Sequence, residues 1–512
     1  MPDREIAFSA WNEQARSASR ILVSGARAEE IARELPGAYI EAEGEGEDDP
    51  LAPERLRGPE ATSRGPRSGS ERAAARVVEL LERRYGRATE RRSYRGDART
   101  RGGEGSSSLS MGWAVLVRRE DRPRAEEALA ALIEHRQRTG RVWRPSADAT
   151  GAPGLVEMRY PRTASVEAWI EALDEATAGE PPDALLIVGG PDSLPFEVEQ
   201  RLATEYAVGR LDVGDTAEGP FSWAACSLYA DKVVRYETGG MPVRRQALLY
   251  SFSSDRATEV SHRDLVLPVE ADLRSQAVRA NLGIEGPECL YDDQATTEAL
   301  CSALRSRAPA FVMTASHGLE FPELPSRWGA LTDSTFVGAS GGTPLDASLA
   351  KGEAFAPGGI LLAFACWSAG IPRKSAHRFF TQDASDDLPL GPRVSPLPRA
   401  LLAHPNGPVA FVGHVDRATS ASFLSSPSRR PDAFLKLARA CLREGGTLGE
   451  AMESLRARVS PAALQLANAL SPLPGGQRKS PTTVMDAWIR FHDILGYVLL
   501  GDPALRVTLP AQ

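Results

Sequence analysis

"ILLAFACWSAG", residues 360–370, decides how this chain is read. An unbroken apolar run, with no polar alternation, marks a strand buried on both faces, as in a parallel sheet covered by helices. The run climbs to Cys366 and then stops at small residues and Gly370. A cysteine there is either a small core residue or a nucleophile presented at a strand end. The same design recurs in "DALLIVGGP" (183–191), "RRQALLYSFSSDRAT" (244–258), "PAFVMTASHG" (309–318) and "GPVAFVGHVDRAT" (407–419). Helical patterns lie between these runs, among them "FSWAACSLYADKVVRYETGG" (221–240) and "ATTEALCSALRS" (295–306). Alternating strands and helices predict an α/β fold with a mostly parallel central sheet.

Working outward, the chain divides into four parts. Residues 1–40 suggest short helices, as in "EEIARELPG". Residues 41–110 are acidic at first, then rich in Pro, Gly, Ser and Arg, and cannot bury a core; one amphipathic helix, 71–86, interrupts them. Residues 111–244 form a first α/β series and 245–512 a second, which holds the candidate chemistry. At 512 residues, more than one core is expected.

The net charge of −8 argues against general nucleic-acid affinity. No stretch reaches the ~20 apolar residues of a membrane span, and "MPDREIAFSAWNEQ" lacks a secretion signal's order. Cys226, Cys289, Cys301, Cys366 and Cys441 are widely spaced, with no CxxC pair. That pattern indicates neither a zinc site nor a disulfide framework, and the cytoplasm fits it best. No cofactor and no metal are expected, and no GxxxxGK[ST] phosphate loop occurs.

Two strand ends carry the candidate chemistry. "TASHG" leaves His317 and Gly318 just past one apolar run, and "AFACWSAG" leaves Cys366 just past another. Parallel sheets gather their sites at the carboxyl ends of strands, so both side chains are expected at one edge. An imidazole beside a thiol supplies the base that a cysteine nucleophile needs. The N–H groups of Gly318 and Cys366 are placed to stabilise an oxyanion.

These residues resemble the paired His-Gly and Ala-Cys motifs of caspase-like cysteine peptidases, including the gingipains and bacterial CHAT proteases. The order His then Cys, about fifty residues apart, matches the caspase pattern. "EYAVGRLDVGD" (205–215), "SSDRAT" (253–258) and "GYVLLGDPALRVTLP" (496–510) extend the likeness over about 185–510. Where caspases carry Gln, two residues before the cysteine, this chain has Phe364. The resemblance implies a caspase-like three-layer sandwich, preceded by a non-catalytic, pseudo-caspase-like subdomain. It implies a thiol protease with His317 as base, Cys366 as nucleophile and protein substrates. It also implies a zymogen awaiting an activating protease or regulatory partner, in a defence or cell-death pathway.

In such folds the turn after the first core strand reaches the pocket for the residue preceding the cleaved bond. Asp255 stands at that turn, and Asp416 follows another strand. A carboxylate there selects Arg, or Lys, at the cleavage site. Asp255 is equally well placed as a helix N-cap before "RATEV". The acidic "TQDASDDLPLG" (381–391) reads as a solvated loop or as a guard for a basic substrate. Fourteen arginines in 51–110 are either linker composition or sites of self-cleavage. A catalytically silent scaffold or sensor with the same fold is one competing expectation, and a different acyl-transfer enzyme using Cys and His is another.

Overall fold

The computed structural model describes residues 4–12, 17–23, 112–161, 166–320, 324–335, 344–350, 352–377, 388–425, 428–429, 431–470 and 481–510. The expected linker, the 71–86 helix, the "EEIARELPG" helix and most of the acidic 381–391 loop lie outside those residues. Arg4–Asn12 and Ser17–Val23 form an antiparallel hairpin, strands where short helices were expected nearby. Arg4–Asn12 also pairs in parallel with the short strand Gly318–Glu320.

An eleven-stranded sheet runs through the molecule. From one edge its strands are Gly151–Ala152, Leu155–Met158, Trp113–Arg118, Ala184–Val188, Ala207–Leu211 and Tyr497–Gly501. It continues through Ala410–His414, Ile360–Phe364, Pro309–Ala315, Arg244–Ser251 and Glu288–Tyr291. All neighbours are parallel except Gly151–Ala152 with Leu155–Met158 and Ala410–His414 with Tyr497–Gly501. The last strand therefore joins two parallel blocks. It runs antiparallel to Ala410–His414 and parallel to Ala207–Leu211. The two α/β series of the sequence thus share one sheet. Strands such as Ile360–Phe364 and Pro309–Ala315 are buried along their whole length because helices cover both faces.

The seam between the blocks is polar and buried. Asp502 accepts the Trp113 Nε1–H (2.9 Å) and the backbone N–H of Ala504 (2.9 Å), and pairs with Arg136. Arg136 also pairs with Glu237 on helix Trp223–Glu237. Burial pushes the Glu237 carboxyl up, but Arg136 and His135 overcome it and hold its pKa down at about 2. A Cβ on Gly209 would sit 2.1 Å from the Gly501 carbonyl oxygen, so glycine there lets the blocks close. "LLGDPALRV" is a clasp in this fold. "AVGRLD" is similar, because buried Arg210 pairs with Glu199 (2.6 Å) and donates to the Gly189 and Leu194 carbonyls.

Among the described residues no helix is long and apolar enough to cross a membrane. All five cysteines are free thiols.

Candidate active site

The chain order of the strands locates the site. From Arg244–Ser251 the chain moves outward to Glu288–Tyr291, then returns to the other flank at Pro309–Ala315. The crevice at the carboxyl ends of Arg244–Ser251 and Pro309–Ala315 is therefore a topological switch point, where open α/β sheets bind ligands. Asp255 follows the first of these strands and His317 follows the second.

The register brings His317 and Cys366 level. Ala315 pairs with Phe364 in parallel, and each catalytic candidate lies two residues beyond. The Ser316 N–H donates to the Phe364 carbonyl (3.2 Å), which carries the pairing past the strands. At Gly318 the two backbones touch. A Cβ there would lie 1.7 Å from the Cys366 carbonyl oxygen and 3.0 Å from its nitrogen. Both N–H groups expected at an oxyanion thus belong to one small patch of main chain.

Asp255 does two jobs. Its Oδ1 accepts the N–H of Ala257 (2.9 Å) and Thr258 (3.0 Å), which caps helix Arg256–Ser261 in a capping box. Its Oδ2 lies 2.8 Å from His317 Nε2. Burial pushes this carboxyl up, but His317 and the capping hydrogen bonds hold it well below the usual carboxylate range. The N-cap alternative is therefore realised. The same side chain also orients the imidazole, a role that sequence reasoning missed. With both oxygens engaged inside the protein, Asp255 is not a vacant wall for a substrate side chain.

Asp416 is likewise committed. It is 6% exposed and accepts the Ser375 hydroxyl (2.7 Å), the Arg417 N–H (2.8 Å) and the Ala376 N–H (2.7 Å). Its role here is to pin the Ser375–Ala376 segment to the end of Ala410–His414. Burial raises its pKa above the usual value, against the hydrogen bonds that lower it.

The nucleophile candidate is closed in. Cys366 is 0% exposed and His317 2%. Cys366 Sγ lies 3.5 Å from the Ala418 carbonyl oxygen. Burial pushes the thiol well above its ordinary value, and Arg417 and the Ala418 contact only partly oppose that. That shift favours the thiol over the thiolate.

Trp367, the next residue, has φ 59°, the left-handed region that bulky residues rarely occupy. Its N–H donates to the Asp416 carbonyl (2.8 Å), which holds the turn. Strain of this kind costs about 1–3 kcal/mol and collects at functional sites. The Trp367 ring packs edge-on to Trp328 at 5.7 Å.

The remaining cysteines carry no comparable setting. Cys226, Cys301 and Cys441 lie on helices and Cys289 on a strand. Burial raises the thiol pKa at all four. Among the described residues no group of His, Cys, Asp and Glu is set to hold a metal ion. No protein-family profile, curated protein or solved structure matches the chain.

Proposed function

We propose that this protein is a cysteine endopeptidase of the caspase-like type, acting through Cys366, His317 and Asp255. The observation that carries the reading is the level placement of His317 and Cys366 at adjacent strand ends, with Asp255 Oδ2 2.8 Å from His317 Nε2. A histidine whose Nε2–H is held by a carboxylate keeps Nδ1 as the proton acceptor and tolerates the charge it gains. His317 then takes the Cys366 proton and the thiolate attacks the substrate carbonyl carbon. The N–H groups of Gly318 and Cys366 receive the oxyanion. As the tetrahedral intermediate collapses, the C–N bond breaks and His317 gives its proton to the leaving amine. Water, deprotonated by His317, adds to the acyl-enzyme, and the thiol departs protonated.

Because Cys366 is buried in the structure described, this reading requires an open state in which the thiol meets its substrate. The same burial favours one other reading, a silent scaffold that keeps the fold and never exposes the thiol. Incubation of the wild-type and Cys366→Ala proteins with a proteome, followed by mapping of new N-termini, separates them. Termini that depend on Cys366 are expected. Identical maps, with Cys366 unlabelled by peptide-based thiol reagents, would leave the scaffold reading standing. Preference for Arg or Lys before the cleaved bond is part of the proposal and is read from the same map.

A further inference from the structure

The two carboxylates that the sequence offered for a basic substrate side chain, Asp255 and Asp416, are both spent inside the protein. A third carboxylate stands on the short strand that follows His317. Glu320 is two residues beyond Gly318, on the strand Gly318–Glu320. It faces the guanidinium of Arg417. Arg417 Nη2 lies 3.2 Å from Glu320 Oε1 and 3.2 Å from Oε2. The same guanidinium carbon stands 5.6 Å from the centre of the Trp367 ring. Both side chains of the ion pair are only 12% exposed. Ala418, the residue after Arg417, rests its carbonyl oxygen 3.5 Å from Cys366 Sγ.

We infer that Glu320 and Trp367 form a guanidinium-binding site beside Cys366, and that Arg417 fills it from within while the site is closed. This deepens the peptidase reading, on which it rests for the identity of the incoming ligand, an arginine side chain of a peptide substrate. A carboxylate beside an aromatic face is the pairing that binds an arginine side chain, by charge-assisted hydrogen bonds and cation–π attraction. The walls come from the strand ends that bear His317 and Cys366. The plug comes from the neighbouring strand end, after Ala410–His414. Trp367 directly follows Cys366, so an arginine side chain bound against its ring lies beside the turn that carries the nucleophile.

The internal arginine is also a displaceable occupant. It reaches Glu320 through one nitrogen shared between two oxygens, whereas a free guanidinium approaches end-on and forks onto both. Glu320 without any cation would be a charge sequestered from water, so removing Arg417 creates demand for a replacement.

The test uses the full chain and agmatine, a small guanidine, titrated by calorimetry. Arg417→Ala is expected to bind agmatine at least ten-fold tighter than wild type. Adding Glu320→Gln is expected to cancel that gain. Arg417→Met, which keeps an apolar stem over Trp367, is a second opening variant, and melting curves confirm that each variant is folded. The inference is overturned if neither opening variant gains affinity, or if the Glu320→Gln addition leaves the gain intact. Peptide hydrolysis with Arg or Leu before the cleaved bond is read in parallel. A Glu320-dependent agmatine gain without hydrolysis of either peptide supports the guanidinium site and defeats the peptidase reading. Equal hydrolysis of both peptides with no agmatine gain overturns the guanidinium site and leaves the peptidase reading in place.

Discussion

Gly318→Ala is the sharpest perturbation of the geometry described above. The new Cβ would sit 1.7 Å from the Cys366 carbonyl oxygen, 2.7 Å from its carbon and 3.0 Å from its nitrogen. Ordinary contact begins near 3.4 Å, so the two strand ends must part by about 1.7 Å. All three obstacles are main-chain atoms of a residue inside the sheet edge, and none can rotate away as a side-chain tip would. The φ of Gly318 is outside the left-handed region, so the effect is one of space rather than of backbone torsion. Overpacking of a close-packed interior typically costs about 1–3 kcal/mol, and a rigid backbone puts this site at the upper end. Catalysis is more sensitive, because a displacement of ~1 Å at a reacting group costs on the order of 100-fold. Urea unfolding and peptide hydrolysis are measured side by side. The expectation is a loss of about 3 kcal/mol and a fall in kcat/KM of about 100-fold or more. Gly112→Ala is the control, since its nearest neighbours lie 3.7 Å away and the change should be close to neutral. A Gly318→Ala protein with wild-type stability and wild-type hydrolysis would refute the account of this strand-end contact.

Three further expectations follow from the same structure. Asp255→Asn keeps an oxygen for the capping N–H groups but weakens the hold on His317. It should lower kcat by about 100-fold or more with little change in melting. A change confined to KM for Arg substrates would instead mark Asp255 as a substrate-binding carboxylate. Asp502→Ala strips the seam clasp from Trp113 and Arg136 and should cost about 3–5 kcal/mol in urea unfolding. A loss below about 1 kcal/mol would show that the clasp is dispensable. The Glu237 carboxyl is lowered from an ordinary 4.5 to about 2, so its contribution is full above about pH 4.5 and fades as pH falls toward 2. Glu237→Gln should therefore lose roughly 3 kcal/mol at pH 7, with a smaller gap to wild type at pH 3. A gap independent of pH would contradict that linkage.

Local sequence was enough to find the strands that bear the site. Runs such as "AFVMTA" and "ILLAF" are apolar without alternation, and only a strand covered on both faces accommodates them. His317 and Cys366 could be singled out because each stands where its run stops. The long-range partners had no such signal. Asp255 could be read as a helix cap because capping is a relation over three residues. Its bond to His317 spans 62 positions and depends on how neighbouring strands are ordered. Asp416 was legible as a strand-end carboxylate, but its engagement with Ser375 and Ala376 was not, because those residues return to it through a loop.

The amino-acid sequence by itself determined the α/β alternation, the buried strands and the two residues at their tips, since these follow from hydrophobic period and from where each period ends. Tertiary structure alone decided that both series share one sheet, through Tyr497–Gly501, antiparallel to one block and parallel to the other. It also decided that Cys366 is covered by Ala418 and that Arg417 faces Glu320 across Trp367. Those outcomes depend on strand order and register. Pairing energy acts between segments dozens to hundreds of residues apart, and nothing in either segment alone encodes which partner it meets.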